Sequence, residues 1–250
     1  MELRRATPVR ELGAMQAEPP TRLQADVGVD VAIRELEAAR PTLEGVDGWA
    51  DLARAPELYR DLLNAWSHDV QMAKTDPDLT LEAKWRNVRR ISGAWRSDAE
   101  STIDDLERGA ARLERVYGEA ARPPAPATSD LQGVLANARS DVLLALANAT
   151  DDDAVDRLGA LARSGDAAVT YLLLATNFVP HLFRGKGWQT APHSWPLEAG
   201  QALAELLSGD ALAAHRMLPA VERVRHAARA LRGGHELAVL SNTDLFGDDG

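Results

Sequence analysis

The stretch LTLEAKWRNVRRISGAWRSDAESTIDDLERGAARLERVYGEAARPP limits what this chain can fold into more than any other segment. Thr80 is a good N-cap, and Pro123-Pro124 forbid continuation at the other end. One helix is predicted from Thr80 to Ala121. At 1.5 Å per residue it is about 60 Å long. Its apolar positions are Leu81, Trp85, Val88, Ser92, Trp95, Ala99, Ile103, Leu106, Ala110, Leu113, Tyr117 and Ala120. The steps alternate four and three, with one doubled four between Trp95 and Ile103. That spacing is a coiled-coil-like seam with one local 11-residue step.

Charge is segregated along this helix. Between Leu81 and Arg96 stand Lys84, Arg86, Arg89, Arg90 and Arg96 against Glu82. Between Asp98 and Glu107 stand Asp98, Glu100, Asp104, Asp105 and Glu107 with no cation. The cationic half, interleaved with Trp85 and Trp95, offers phosphate contacts with aromatic stacking. The tryptophans lie on the apolar seam, however, which points to core packing or to pairing with another copy, with charges flanking the seam.

Ala, Leu, Arg, Glu and Asp dominate, and β-branched and aromatic residues are scarce, which favours helix nearly throughout. The 250 residues suffice for one or two domains with sizeable cores. The absence of cysteine excludes disulfides, thiolate chemistry and Cys-ligated zinc. A net charge of −10 argues against nonspecific nucleic-acid binding by the molecule as a whole, though not by local basic patches. MELRRATPVREL lacks the apolar core of a secretory signal, and no run has the length of a membrane span. The expectation is a protein of the cytoplasm, or of a particle assembled there.

Residues 1–29, with Pro8, Pro19 and Pro20, read as a flexible arm. Asp30 then caps a short helix stopped by Pro41. A helix opening at Pro56 carries Tyr59, Leu62, Leu63, Trp66, Val70 and Ala73 and stops before Pro77. Its short connection to Thr80 makes it the antiparallel mate of the long helix, with Tyr59 and Trp66 facing Trp85 and Trp95. A hairpin domain over residues 30–121 follows. The seam from Asp98 to Tyr117 is left without an evident mate. Residues 122–129, RPPAPATS, read as a linker, and 130–233 as a second, compact helical bundle. Its helices are capped by Ser129 or Asp130, by Thr150–Asp153 and by Asp166, the last ending at Pro180. Residues 181–196 read as an irregular loop, Pro196 as a helix start, and Gly233-Gly234 as the last helix end. The tail 234–250 carries an extended run at 237–240 and an apolar pair, Leu245-Phe246, among acids. The fold class is therefore all-α, a long-helix antiparallel hairpin followed by a compact bundle.

Candidate chemistry is sparse. The last helix sets Arg216, Arg223, Arg225, Arg229 and Arg232 against Glu222, a basic face suited to an acidic partner or to the helix dipole. Asp152-Asp153-Ala154-Val155-Asp156 matches the DDxxD pattern with which helical prenyl and terpene synthases hold Mg²⁺ and diphosphate. Acids at a helix start are equally favoured as caps, and no second Asp-rich motif is present. His68-Asp69 has no histidine upstream to complete a metal set. His181 and His193 bracket LFRGKGWQTAP, where Arg184 and Lys186 offer phosphate contacts and Phe183 and Trp188 offer apolar anchors. NTDLF in the tail is similar to the short peptides that dock on bacterial sliding clamps, with Asn242 where those have Gln. GxSxG, HExxH and GxGxxG are absent, and no cofactor is expected.

LTLEAKWRNVRRISGAW running into an acidic coiled segment, together with DDDAVDRLGALARSGDAAV, resembles helical head-assembly proteins of tailed bacteriophages. The resemblance implies a scaffold or head-accessory role in a virion. The expected function is accordingly non-enzymatic, self-association or partner binding. The contact residues would be Trp85, Trp95, Ile103, Leu106, Leu113, Tyr117, Leu245 and Phe246. A nucleic-acid or replication accessory factor using Lys84, Arg86, Arg89, Arg90, Arg96, Arg223, Arg225, Arg229 and Arg232 is the alternative. A Mg-dependent enzyme at Asp152–Asp156 is the third reading.

Overall fold

The computed structural model describes residues 21–240, and among these the chain is all-α, nine helices without a strand. They are α1 (Thr21–Leu43), α2 (Trp49–Thr75), α3 (Leu81–Ala120), α4 (Leu131–Ala145), α5 (Asp151–Ala162), α6 (Ala167–Ala175), α7 (Phe178–Lys186), α8 (Ala191–Leu206) and α9 (Gly209–Leu240). Two compact units share them. The first takes α1, α2, α3 as far as Leu113, and α9 from Pro219; the second takes Glu114–Leu218. The divisions thus fall inside α3 and α9 rather than at the proline-rich segment 122–129, in which Pro123 is buried beside buried Ala121.

In the first unit, α2 folds back antiparallel on α3. Trp66 stacks on Trp95 at 5.0 Å, and its indole N–H donates to Ser92 Oγ at 3.0 Å. Tyr59 meets Trp95 edge-on at 6.3 Å. Further along, Leu52 packs where Gly109 lacks a side chain, and Arg112 pairs with Asp47 at 3.1 Å. Ser92 breaks the apolar seam because it is the acceptor for a buried indole.

The acidic half of α3 has its mate in the same chain. Ile103 and Leu106 are fully buried, and Leu113 nearly so. α9 brings Arg232 to Glu107 at 2.7 Å and to Asp104, and those bonds hold its pKa above the ordinary guanidinium value. The mate open to the seam is another copy, another protein or the later helices folded back; the seam is core, and the basic helix at the far end of the sequence meets it. Arg223 pairs with Glu35 of α1 at 3.1 Å and ties that helix to the same assembly.

α1 begins before Asp30 and carries Pro41 in its last turn; α2 begins at Trp49 with Pro56 inside it. α9 runs through Pro219 and through Gly233-Gly234, and 237–240 is helical, not extended. The glycines continue the helix because α1 and α9 touch backbone to backbone there. A Cβ on Gly28 would lie 2.7 Å from the Ala230 carbonyl oxygen, and one on Gly234 would lie 3.0 Å from that of Gln24. Gly233 faces open space.

His235 sits at the centre of this unit, 2% exposed, with Nδ1 3.1 Å from the Tyr59 hydroxyl and its ring 5.2 Å from Trp95. Burial, with Asp26 adding to it, holds the Tyr59 phenol well above its ordinary pKa, so the hydroxyl remains a donor. Placing the imidazole proton on Nε2 lets Tyr59 donate to Nδ1 and turns Nε2–H toward Glu100, 3.8 Å away. Burial lowers the His235 pKa; Glu100 opposes this, and Arg232 and Arg96 reinforce it.

In the second unit, α4 to α8 enclose a core that includes Val142, Leu146, Leu158, Leu173, Val179, Phe183 and Trp195. The three caps read from sequence are present. Asp130 accepts from Gly133 N–H, Thr150 and Asp153 form a capping box, and Asp166 accepts from Ala168 and Val169 N–H. Two helices replace the loop expected at 181–196. α6 stops at Ala175, where the Thr176 hydroxyl bonds back to Leu172 O and accepts from Phe178 N–H. Pro180 then falls in the first turn of α7, where a missing N–H costs no helical bond. Pro192 opens α8, and Pro196 lies inside it rather than starting it.

Two consequences are measurable. Gly28→Ala should destabilise the protein by about 1–3 kcal/mol through overpacking, whereas Gly233→Ala should stabilise it by about 1 kcal/mol through helix propensity. Urea unfolding of both variants decides it, and equal effects would refute the backbone contact. For His235 the folded pKa is depressed, so its contribution is complete above the unfolded pKa of about 6.5 and is lost as pH falls below it. The loss is at most about 1.4 kcal/mol per pH unit. The urea midpoint of His235→Phe should therefore fall less between pH 7.5 and 5 than that of the parent chain; parallel profiles would exclude the histidine.

Candidate functional site

The acids of α5 define the site by what they hold. The Asp153 carboxylate accepts from Thr150 N–H at 2.5 Å and pairs with Arg157 at 2.7 Å. Asp151 reaches out of its own helix. Its carboxylate accepts from the backbone N–H groups of Gln189, Thr190 and Ala191 at 2.7, 2.8 and 2.9 Å. Desolvation would raise the Asp151 pKa, but these N–H donors outweigh it and the net shift is downward. The carboxylate thus serves as a cap in trans for α8, at the positive end of that helix. Asp152 and Asp156 are exposed, and among the described residues no group of three or more His, Asp or Glu is placed to hold a metal ion.

What Asp151 fixes is the turn between α7 and α8. α7 closes at Gly187, whose φ of 69° is the left-handed conformation of a helix C-cap. Trp188 N–H bonds back to Phe183 O at 3.2 Å, and the two rings lie 5.9 Å apart. Trp195, one turn into α8, is 8% exposed. Between these helices opens a pocket of about 500 Å³ lined by Pro180, Phe183, Arg184, Gly187, Trp188, Gln189, Pro192, Trp195 and Pro196. Its walls are aromatic and proline side chains. Arg184 is steered by its own Nε–H to Pro180 O (3.3 Å) and by its Nη2, 2.9 Å from His181 Nδ1. The Lys186 ammonium lies 5.9 Å from the Trp188 ring centre. Phe178 to Leu197 contains Arg184 and Lys186 and no acid, in a chain whose acids outnumber its bases 38 to 28.

The sequence-derived candidates separate by location. Trp95, Ile103, Leu106 and Leu113 are core. Trp85 is half-buried beside Lys74 and Lys84, and Tyr117 packs with Ala121, Leu207 and Ala214. Leu245 and Phe246 lie outside the described residues. Of the cations, Arg86 pairs with Glu82, Arg96 with Glu100, Arg223 with Glu35, and Arg232 with Asp104 and Glu107. Arg225 pairs with Glu222, and Arg229 stands 3.7 Å from the same carboxylate. Lys84 is half-buried, while Arg89 and Arg90 are exposed. The Trp195 wall was not singled out from sequence; its spacing from Trp188 and the surrounding prolines is the signal that marks it.

No protein-family model, curated protein or solved structure matches the chain.

If Asp151 positions the pocket, Asp151→Ala should lower the melting temperature and loosen the α7–α8 turn, with faster amide exchange at Gln189, Thr190 and Ala191. Asp152→Ala, at an exposed neighbour, should leave all three unchanged. Equal exchange in the two variants would remove Asp151 from the site.

Proposed function

We propose that this is a non-enzymatic interaction protein of the structural or assembly type, which works by docking a partner segment in the α7–α8 pocket. The observation that carries this reading is the composition of the pocket: Phe183, Trp188, Trp195 and three prolines for walls, with Arg184 in its lining and the Lys186 ammonium 5.9 Å from the Trp188 ring. Aromatic anchors in a pocket bordered by a charged rim are the usual chemistry of protein recognition. Of the carboxylates that suggested a metal enzyme, Asp153 holds its helix cap and Arg157, and Asp152 and Asp156 are exposed; neighbouring Asp151 holds three backbone N–H groups. A head-assembly role of the kind the sequence resemblance implies is compatible with such docking and belongs to the same proposal.

The nucleic-acid reading loses support from the ion pairs of Arg86, Arg96, Arg223 and Arg232, whose partners are carboxylates of this chain. Sedimentation velocity over a concentration series, for the parent chain and for Trp188→Ala/Arg184→Glu, tests the proposal. The parent should associate and the variant should not. Association that the variant leaves unchanged would overturn it. So would duplex DNA binding whose affinity falls steeply with salt, as several phosphate contacts require.

A further inference from the structure

Resting on that reading, we infer that the α7–α8 pocket selects its partner by charge: the segment it takes is acidic, a bulky apolar side chain flanked by carboxylates.

The apolar anchor follows from the walls. Phe183 and Trp195 are buried, and Trp188 is half-buried with its ring 5.9 Å from that of Phe183. Pro180, Pro192 and Pro196 are exposed and complete the lining. The volume of about 500 Å³ is within the range of roughly 300–1,000 Å³ for clefts that bind ligands. It suits one large side chain of a short segment rather than the whole face of a helix.

The sign of the partner follows from how the charges of the second unit are spent. Arg157 pairs with Asp153, and Arg163 pairs with Glu198 and Glu205. Arg184 and Lys186 meet no carboxylate among the described residues. Arg184 gives its Nε–H to Pro180 O and turns Nη2 to His181 Nδ1, and its exposed guanidinium keeps further N–H groups for a ligand. Both cations stand in the last turn of α7, where positive charge suits the helix dipole. The dipole asks only for charge at that end, however. It does not ask for a guanidinium in the pocket lining or an ammonium 5.9 Å from the centre of a wall ring.

The acids next to this stretch are already engaged. Asp151 is held by the N–H groups of Gln189, Thr190 and Ala191, and Glu198, the first acid after Leu197, is bound by Arg163. Phe178 to Leu197 has no acid of its own. A carboxylate beside the anchor therefore gains two cations, whereas a basic segment with the same anchor meets like charge. The groove of about 560 Å³ at the α2–α3 turn gives the contrast. Its lining mixes Asp69 and Asp76 with Arg90 and holds no aromatic ring, so it fixes neither the sign nor the anchor of a ligand.

Three peptides with blocked ends, EEFEE, KKFKK and EEAEE, are the probes. Calorimetry measures the affinity, and the Trp188 indole N–H resonance reports the place. EEFEE should bind, and less tightly as salt rises, because the cations are exposed. KKFKK and EEAEE should each bind at least about tenfold more weakly, one for like charge and the other for want of an aromatic anchor. Trp188→Ala should lose EEFEE, and Arg184→Glu/Lys186→Glu should reverse the preference toward KKFKK; far-UV circular dichroism and melting temperature establish that both fold. Arg90→Glu, which alters an exposed cation of the other groove, should change nothing. Equal affinity for EEFEE and KKFKK would overturn the acidic assignment. So would EEFEE binding that is lost in Arg90→Glu and kept in Arg184→Glu/Lys186→Glu, or no binding by any of the three. With any of those results, sedimentation still decides the pocket itself: association lost in Trp188→Ala/Arg184→Glu would keep it as the docking site and strike only the sign of its partner.

Discussion

Arg232 has two carboxylates to choose from on α3, Asp104 and Glu107, and it bonds to both. The rest of the first unit depends on that meeting. A helix with Asp98, Glu100, Asp104, Asp105 and Glu107 in one stretch repels itself and gains from any cation laid beside it. α9 supplies the cation and, in the same turn, His235, which fills the space between Tyr59 and Trp95. The charge pair sets the register, and the aromatic cluster below it provides the apolar burial. Side chains this exposed add little energy as isolated pairs. Arg232 is more buried than either partner and bridges two acids, which makes the pairing a question of position as much as of strength.

The second unit is organised by short polar devices at helix ends. Asp130, Thr150 with Asp153, and Asp166 each close the N-terminus of their own helix. Asp151 does the same for a helix 40 residues away. Within the motif that reads as a metal site, Asp153 is thus spent on the cap of its own helix and on Arg157. The reason is generic: the N–H groups at a helix start need acceptors whether or not a metal is near, and aspartate satisfies them with little side-chain entropy to lose.

Helical class, the α2–α3 hairpin and the caps of α4, α5 and α6 are legible in the sequence because each is set by local pattern: three-four spacing, a short turn at Pro77, an acid before an apolar run; Asp30, expected as a cap, lies inside α1. Helix ends judged from glycine and proline are not legible. Gly233-Gly234 reads as a stop because a pair of glycines lowers helix propensity, and the helix continues with α1 packed backbone to backbone on Gly234 alone, where a Cβ would meet Gln24 O. Pro180 and Pro192 looked like loop residues because proline breaks helices, and they sit in first turns where it does not. Both halves of the Arg232 pairing were visible as an acidic run and a basic helix, but 125 residues of chain separate them. No periodicity spans that distance, so the mate of the seam could be found only in three dimensions. The α7–α8 pocket is alike: Phe183, Trp188, Arg184 and Lys186 stand out in the sequence, yet nothing local says that Trp195 and the prolines close around the turn.

The burial of the seam changes where an assembly contact can be. Ile103, Leu106 and Leu113 are core residues, and exposing them to another copy would require α9 to leave, with loss of the aromatic cluster and of the Arg232 bonds. Such an exchange amounts to unfolding the first unit, and a reversible contact cannot be built on it. Surface features carry no such cost. The pocket between α7 and α8 is already formed, its turn held by Asp151, so a docking segment need not reorganise it. Preorganisation of that kind favours a short ligand with few contacts. The docking proposed for this protein is therefore placed on the second unit, while the long helix that dominates the sequence builds the first.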